Sequence, residues 1–339
     1  MKHFVLFLLL FSSHVKAQLS GTEPREENEY KISFELEEPS INSLTEKIQR
    51  SLFDLLNSEK LITDKKLSSE YYLTGKLIPY CYLDFYLDSP DFQLYKNNKI
   101  YRLRYRWKSD KQFDDFSKNL KQKDYPIRAE IQAKTQIKIS NLGYVSSFES
   151  RFEFRNDSVP FSVINPAPTS PWPVKDFLKY AKNGTYKNYQ LIPSFEIRKN
   201  LDVQIQLEPK ITIKTLRRRF HLNLKNRWGN GPNPNQAFII TIDTFAYLKF
   251  DNISRAYIDD YSKPFYEIEI EFERNTSTML ALDSSSSAKN AKSFFKRDHK
   301  MIRENILNTL IKNSVKLSSE ISSKYKKVII HSGLIGKDR

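Results

Sequence analysis

The chain has 339 residues, with 55 lysines and arginines against 40 acidic residues, a net charge of +15 at pH 7. That excess favours anionic partners such as phosphates, nucleic acid or an acidic surface. Glycine is scarce and Tyr, Phe, Lys and Asn are plentiful, so a sizeable core is possible. The one cysteine, Cys81, excludes an intramolecular disulfide framework, and the absence of CxxC, HExxH or a His/Cys cluster speaks against zinc.

Lys2 precedes an apolar run from Phe4 to Phe11, then polar residues and Val15-Lys16-Ala17. This is the pattern of a secretory signal over residues 1–17, cut after Ala17; an uncleaved anchor is the alternative. The run is too short to span a bilayer, and no later segment approaches about 20 apolar residues. No transmembrane helix is therefore expected after cleavage. The expected location is secreted or periplasmic, or the ER lumen or exterior in a eukaryotic host. Loss of Lys2 and Lys16 takes the charge from +15 to +13. Four sequons, at Asn156, Asn183, Asn252 and Asn275, matter only in a eukaryotic host.

Residues 18–28 read as a polar leader. From Glu29, "EYKISFELEE" alternates Tyr30, Ile32, Phe34 and Leu36 with polar residues, a half-buried strand ended by Pro39. Ser43 to Glu46 forms a capping box for a helix carrying Leu44, Ile48, Leu52 and Leu55. "LIPYCYLDFYL", "IYRLRYRW", "IRAEIQAKTQIKI" and "SSFESRFEFR" read as four further strands. The region near 156–190 contains "VPFSVINPAPTSPWPVKDF", a proline-rich insertion, with a short helix near Val174 to Ala181. Strand patterning resumes in "SFEIRK", "DVQIQLE", "KITIKTLRRRFHLNL", "AFIITIDTFAYLKF" and "FYEIEIEFER". "DSSSSAKNA" reads as a flexible connector, and amphipathic helices are predicted between Ser293 and Ser323. The class is α+β, built on an antiparallel sheet.

Several strands share one property: an apolar face opposite a charged one. Arg102, Arg104 and Arg106 alternate with Tyr101, Leu103 and Tyr105, and Glu267, Glu269, Glu271 and Glu273 with Tyr266, Ile268, Ile270 and Phe272. A sheet with one solvated face accounts for the alternation. A closed barrel with its charged faces inward also does. It would relieve the like charges, spaced about 7 Å apart along each strand, since metal ions can sit on the glutamates and phosphates can bridge to the arginines.

The order of motifs resembles that of CYTH-like proteins, the triphosphate tunnel metalloenzymes. "YLDSPDFQLYKNNKIYRLR" is similar to the family's Y-x-D-T-P-x-x-x-L…L-R-x-R segment, with Asp88, Ser89, Pro90 and Leu94 in place. "IQAKT", "SRFEF", "ITIDT" and "EIEIE" follow in family order. The resemblance implies an eight-stranded antiparallel β-barrel, a tunnel with flanking helices, over residues 29–280; a connector and C-terminal helices would fill 281–339. It implies a triphosphate or polyphosphate ligand, Mg²⁺ or Mn²⁺, and hydrolysis. Arg102, Arg104, Lys134 and Arg151 would bind phosphates, with Arg198 and Arg218 as further basic candidates. Glu267, Glu269, Glu271 and Asp243 would hold the metal, and Glu153 and Glu269 are the candidates to orient water. The family's first-strand signature is E-x-E-x-K. With the strand starting at Glu29, the two available stretches, Glu29-x-Lys31-x-Ser33 and Glu35-x-Glu37-x-Pro39, do not match it. The departure leaves a catalytically lapsed binder of a polyanion as the second reading. A basic surface module for nucleic acid is the third.

Overall fold

The computed structural model describes residues 25–36, 40–57, 71–119, 126–139, 143–154, 207–224, 236–251, 256–259, 264–272, 286–318 and 322–335. The expected signal segment, the proline-rich region, the expected strand "SFEIRK", most of the expected strand "DVQIQLE", and Arg198 lie outside them. Among the described residues there are ten strands: β1 (Arg25–Glu35), β2 (Tyr71–Asp88), β3 (Lys99–Trp107), β4 (Arg128–Ile139), β5 (Tyr144–Phe154), β6 (Glu208–Leu224), β7 (Gln236–Asp251), β8 (Ala256–Asp259), β9 (Phe265–Phe272) and β10 (Lys316–Leu317). The helices are α1 (Ile41–Asn57), α2 (Gln93–Lys96), α3 (Asp110–Asn119), α4 (Ser286–Lys312) and α5 (Lys324–His331).

Antiparallel pairing runs β1-β5-β4-β3-β2-β6-β7-β9, and β9 pairs back with β1. This is a closed eight-stranded antiparallel barrel, the architecture that the CYTH-like resemblance implies. The two short strands extend it, β10 against β1 and β8 against β7. Gly143, at φ 90°, leads into β5 where β1 passes closest. Its carbonyl accepts from the Lys31 amide at 2.8 Å, and a Cβ there would sit 2.4 Å from the Lys31 carbonyl oxygen, so only glycine fits.

The barrel is apolar outside and charged inside. Phe220, Leu222, Phe238, Ile240, Ile242, Ile268, Ile270, Tyr30, Ile32 and Phe34 face outward and are buried under α1 and α4. Leu44, Ile48 and Leu52 of α1 and Ile302, Ile306 and Leu310 of α4 have no exposed surface. Cys81 is a buried core thiol, as its aromatic neighbours suggested. Helix α1 starts at Ile41 rather than after Ser43, and it is the Ser40 hydroxyl that accepts, from the Ser43 amide. Part of the expected connector is helical: α4 begins at Ser286. Among the described residues no helix is long and apolar enough to cross a membrane.

His299 of α4 lies in this outer layer, stacked on Phe238 and edge-on to Tyr30, with a hydrogen bond to the backbone of Ile270. Burial, helped by the nearby Arg303 charge, lowers its pKa to about 4. The ring is thus neutral when folded, while the unfolded chain takes up a proton near pH 6.5. Its contribution to stability is complete above that pH and is lost as pH falls towards 4, to a total of about 3 kcal/mol. His221, also lowered to about 4 by burial and Arg219, acts with the same sign. Thermal midpoints measured from pH 7 to pH 4 should fall less steeply for His299→Phe than for the wild type. Equal slopes would refute the assignment.

Candidate active site in the tunnel

The inward faces are those that the alternation marks. Arg102, Arg104 and Arg106 of β3, Arg128, Glu130 and Lys134 of β4, and Glu149 and Arg151 of β5 line one chamber with Glu269 and Glu271 of β9. Arg102 and Glu269 therefore face the same interior, which excludes a simple sheet with a solvated face. The chamber holds about 200 Å³ and is lined by ten basic and six acidic side chains, an excess suited to a multiply charged anion.

The first strand changes the site. β1 begins at Arg25, within the expected leader, and so brings Glu27 into register with Ser147 of β5. Glu27, Glu29 and Lys31 then point inward together, all three lining the chamber. They read Glu27-x-Glu29-x-Lys31, the complete E-x-E-x-K pattern, in place of the stretches two and eight residues further on. Lys134 donates to Glu27 at 2.6 Å and to Glu29 at 2.9 Å. Lys31 reaches Glu269 at 2.7 Å and Glu29 at 3.2 Å.

On the basic side, Arg104 makes a two-pronged pair with Asp84 of β2, Nε to Oδ1 at 2.6 Å and a terminal nitrogen to Oδ2 at 2.7 Å. Arg102 donates to Gln132 at 2.7 Å, to the Tyr86 hydroxyl at 2.9 Å and to Asp84 at 3.3 Å. Burial opposes the Asp84 charge, but Arg104 and then Arg102 outweigh it and hold its pKa below the usual carboxylate range. Arg151 pairs with Glu149 at 3.0 Å and Glu130 at 3.4 Å. Glu153 lies opposite Glu130 in the β4–β5 ladder.

Arg218 is not in the chamber. It lies on the outer face of β6 and donates to Asn42 of α1 at 2.6 Å. The neighbouring Arg217 takes the inward position, bound to Asp243 at 2.5 Å and to Glu269 at 2.6 Å. The reason is alternation: Phe220 and Leu222 must face the outer core, and Arg218 shares their parity.

Helix α5 closes one end. Tyr325 stacks on Tyr86 at 4.8 Å and donates to Asp88 at 3.0 Å. Asp88 also accepts from the amides of Ser89, Leu94 and Tyr95, so it shapes the turn, as expected, rather than reaching the chamber. Lys324 reaches Glu269 at 2.8 Å, Asp243 at 2.9 Å and Glu267 at 3.0 Å, and Lys327 reaches Glu267 at 2.6 Å. Burial alone would raise the Glu267 pKa; Lys31, Lys324 and Lys327 bring it down to about 2.

The proposed metal set is thereby divided. Glu267 and Asp243, paired with lysines and Arg217, fall outside the cluster in which oxygens of Glu29, Glu269 and Glu271 lie within 4.8 Å of one another. Glu269 is itself paired with Lys31, Lys324 and Arg217, and Glu29 with Lys31 and Lys134. Three carboxylate oxygens at this spacing suit a hard divalent cation. Glu271 is the member that most lacks positive charge: burial, then the charges of Glu27, Glu269 and Glu29, push its pKa up to about 8. A cation at the cluster would relieve that repulsion.

No family model matches the chain, and no curated protein matches it. Similar solved structures include a Hippeastrum protein assigned as an adenylyl cyclase and described as having a dominant triphosphatase activity. It shares 14% identity, with 92% of this chain and 98% of that one covered and a TM-score of 0.42. The Mimivirus capping enzyme triphosphatase shares 13% identity over 84% and 96% of the two chains, with a TM-score of 0.31. A Bacillus halodurans protein assigned as an adenylate cyclase shares 13% identity over 82% and 91%, with a TM-score of 0.33.

Proposed function

We propose that this chain is an exported CYTH-like tunnel phosphohydrolase that cleaves a triphosphate or short polyphosphate with Mg²⁺ or Mn²⁺. The observation that carries the reading is a single chamber in which Arg102, Arg104 and Lys134 face the Glu29–Glu269–Glu271 cluster. The lapsed-binder alternative drew its support from an incomplete first-strand motif, and Glu27-x-Glu29-x-Lys31 supplies the complete one.

In this reading Arg102, Arg104 and Lys134 replace water around the phosphate oxygens, and their carboxylate partners keep them oriented beforehand. Glu29, Glu269 and Glu271 would hold the divalent ion, whose chemistry is to neutralise charge on the phosphoryl oxygens during transfer to water. Helix α5, with the Tyr325–Tyr86 stack, excludes solvent from one end of the tunnel. The excess of basic groups attracts the anion before any contact forms.

Phosphate release from inorganic tripolyphosphate is the direct test. Wild-type protein should turn over only with Mg²⁺ or Mn²⁺, and Glu269→Gln should be inactive. Metal-independent release, or none under any condition, would overturn the enzyme. Thermal stabilisation by tripolyphosphate without turnover would return the reading to a binder.

A further inference from the structure

Two of the ten basic side chains that line the chamber differ from the others. Arg102, Arg104, Arg128, Arg151, Arg217, Lys31, Lys134 and Lys324 all have a carboxylate within ion-pair distance. Arg106 and Arg219 have none among the described residues; the Nε of each is also buried without a hydrogen-bond partner, a property shared with Arg128 and Arg151, which have their carboxylates. They lie on β3 and β6, the two strands that flank β2, at the end of the barrel away from α5. Both line the chamber, and both also line a second cavity of about 270 Å³ with Tyr80, His221 and Gly75. A bulge in β2 between Lys76 and Tyr80 interrupts the ladder beside this cavity.

Two uncompensated guanidinium groups sharing one cavity repel each other and carry unmet donors, and a bound anion answers both. The cavity continues the row of inward arginines one step beyond Arg104. From this placement we infer a second anion subsite, Arg106 and Arg219, that seats a fourth phosphate of a linear chain whose first three occupy the tunnel. The inference rests on the phosphate-chain reading above and narrows its substrate class to inorganic oligophosphates of four or more units. A nucleoside in the cavity fits less well. Arg106 already covers the Tyr80 ring, 3.8 Å from its centroid, so that face is not available to stack a base. His221 is held neutral by burial and Arg219, so it adds a polar wall without adding charge.

Equilibrium binding of inorganic tripolyphosphate, inorganic tetraphosphate and ATP, with a chelator present and ionic strength fixed, tests the subsite. The wild type should prefer tetraphosphate over tripolyphosphate about tenfold, the effect of one additional charge-assisted contact. Arg106→Gln with Arg219→Gln should bring that ratio close to one. Lys300→Gln, on the exposed surface of α4, should leave it unchanged and so control for overall charge. Arg104→Gln should weaken both chains alike and preserve the ratio. A wild-type ratio near one, with tripolyphosphate still bound, would overturn the subsite and leave the proposed function standing. So would a tenfold ratio that survives the double substitution. ATP binding tighter than tripolyphosphate and dependent on Arg106 would assign the cavity to a nucleoside instead. If neither phosphate chain binds, both readings fall together.

Discussion

Arg104→Ala is expected to destabilise the protein by about 3–5 kcal/mol and to weaken its stabilisation by phosphate chains. Asp84 has no exposed surface, and Arg104 meets both of its oxygens. Removing the guanidinium leaves a buried carboxylate with Arg102, at 3.3 Å, as its remaining ion-pair partner. Neither water nor a rotamer change replaces the lost pair at a fully buried site, so most of the penalty should persist. At about 2–4 °C per kcal/mol for a domain of this size, the thermal midpoint should drop by roughly 10 °C. Arg104→Lys would keep a charge but lose the two-pronged geometry, and should fall between the two. A midpoint within two degrees of wild type, with tripolyphosphate stabilisation intact, would remove Arg104 from both roles.

Glu29→Gln should leave the fold in place and lower metal-dependent tripolyphosphate hydrolysis by about 100-fold or more, roughly 2.7 kcal/mol of transition-state stabilisation. Glu29 sits where Lys31, Lys134 and the Glu269–Glu271 pair converge. The amide keeps the size of the side chain but withdraws one anionic oxygen from the cluster. Without metal, tripolyphosphate should bind at least as tightly as before, because a negative charge has left a chamber that receives an anion. The two measurements thus move apart: turnover falls while metal-free affinity holds or rises. Full turnover in Glu29→Gln would exclude this carboxylate from the metal set.

The strands could be read from alternation because each has one face that must be buried. Period-two placement of Ile268 and Ile270 against Glu267, Glu269 and Glu271 survives any choice of neighbour. Where the reading failed, alternation was silent. "PREENEY" carries no apolar residue before Tyr30, so the first residues of β1 had no hydrophobic signal, and Glu27, which opens the E-x-E-x-K stretch, passed as leader. Those residues pair because β5 supplies a ladder from Tyr144 to Glu149, a partner distant in sequence. In "LRRRF" three consecutive arginines must alternate faces. Assigning the inward ones needs Phe220 and Leu222 as reference, and Arg217 and Arg219 rather than Arg218 result. Arg106 and Arg219 likewise stand out only once the pairing of the other cations that line the chamber is known.

What the sequence by itself determined was the local grammar: antiparallel strands with one charged face, a turn shaped by Asp88 before Pro90, and the order of charged motifs. These depend on residues near each other in the chain, where steric and hydrogen-bonding rules act directly. Tertiary structure decided that the sheet closes through β1 and β9, so that the charged faces became an interior instead of a surface. It also decided that α5 delivers Lys324 and Lys327 to Glu267. Neither follows from periodicity, since a strand's pattern says which residues share a face and not what that face meets. Closure supplies the meeting: opposite charges brought within 3 Å in a low-dielectric interior attract strongly enough to hold groups that burial alone would neutralise.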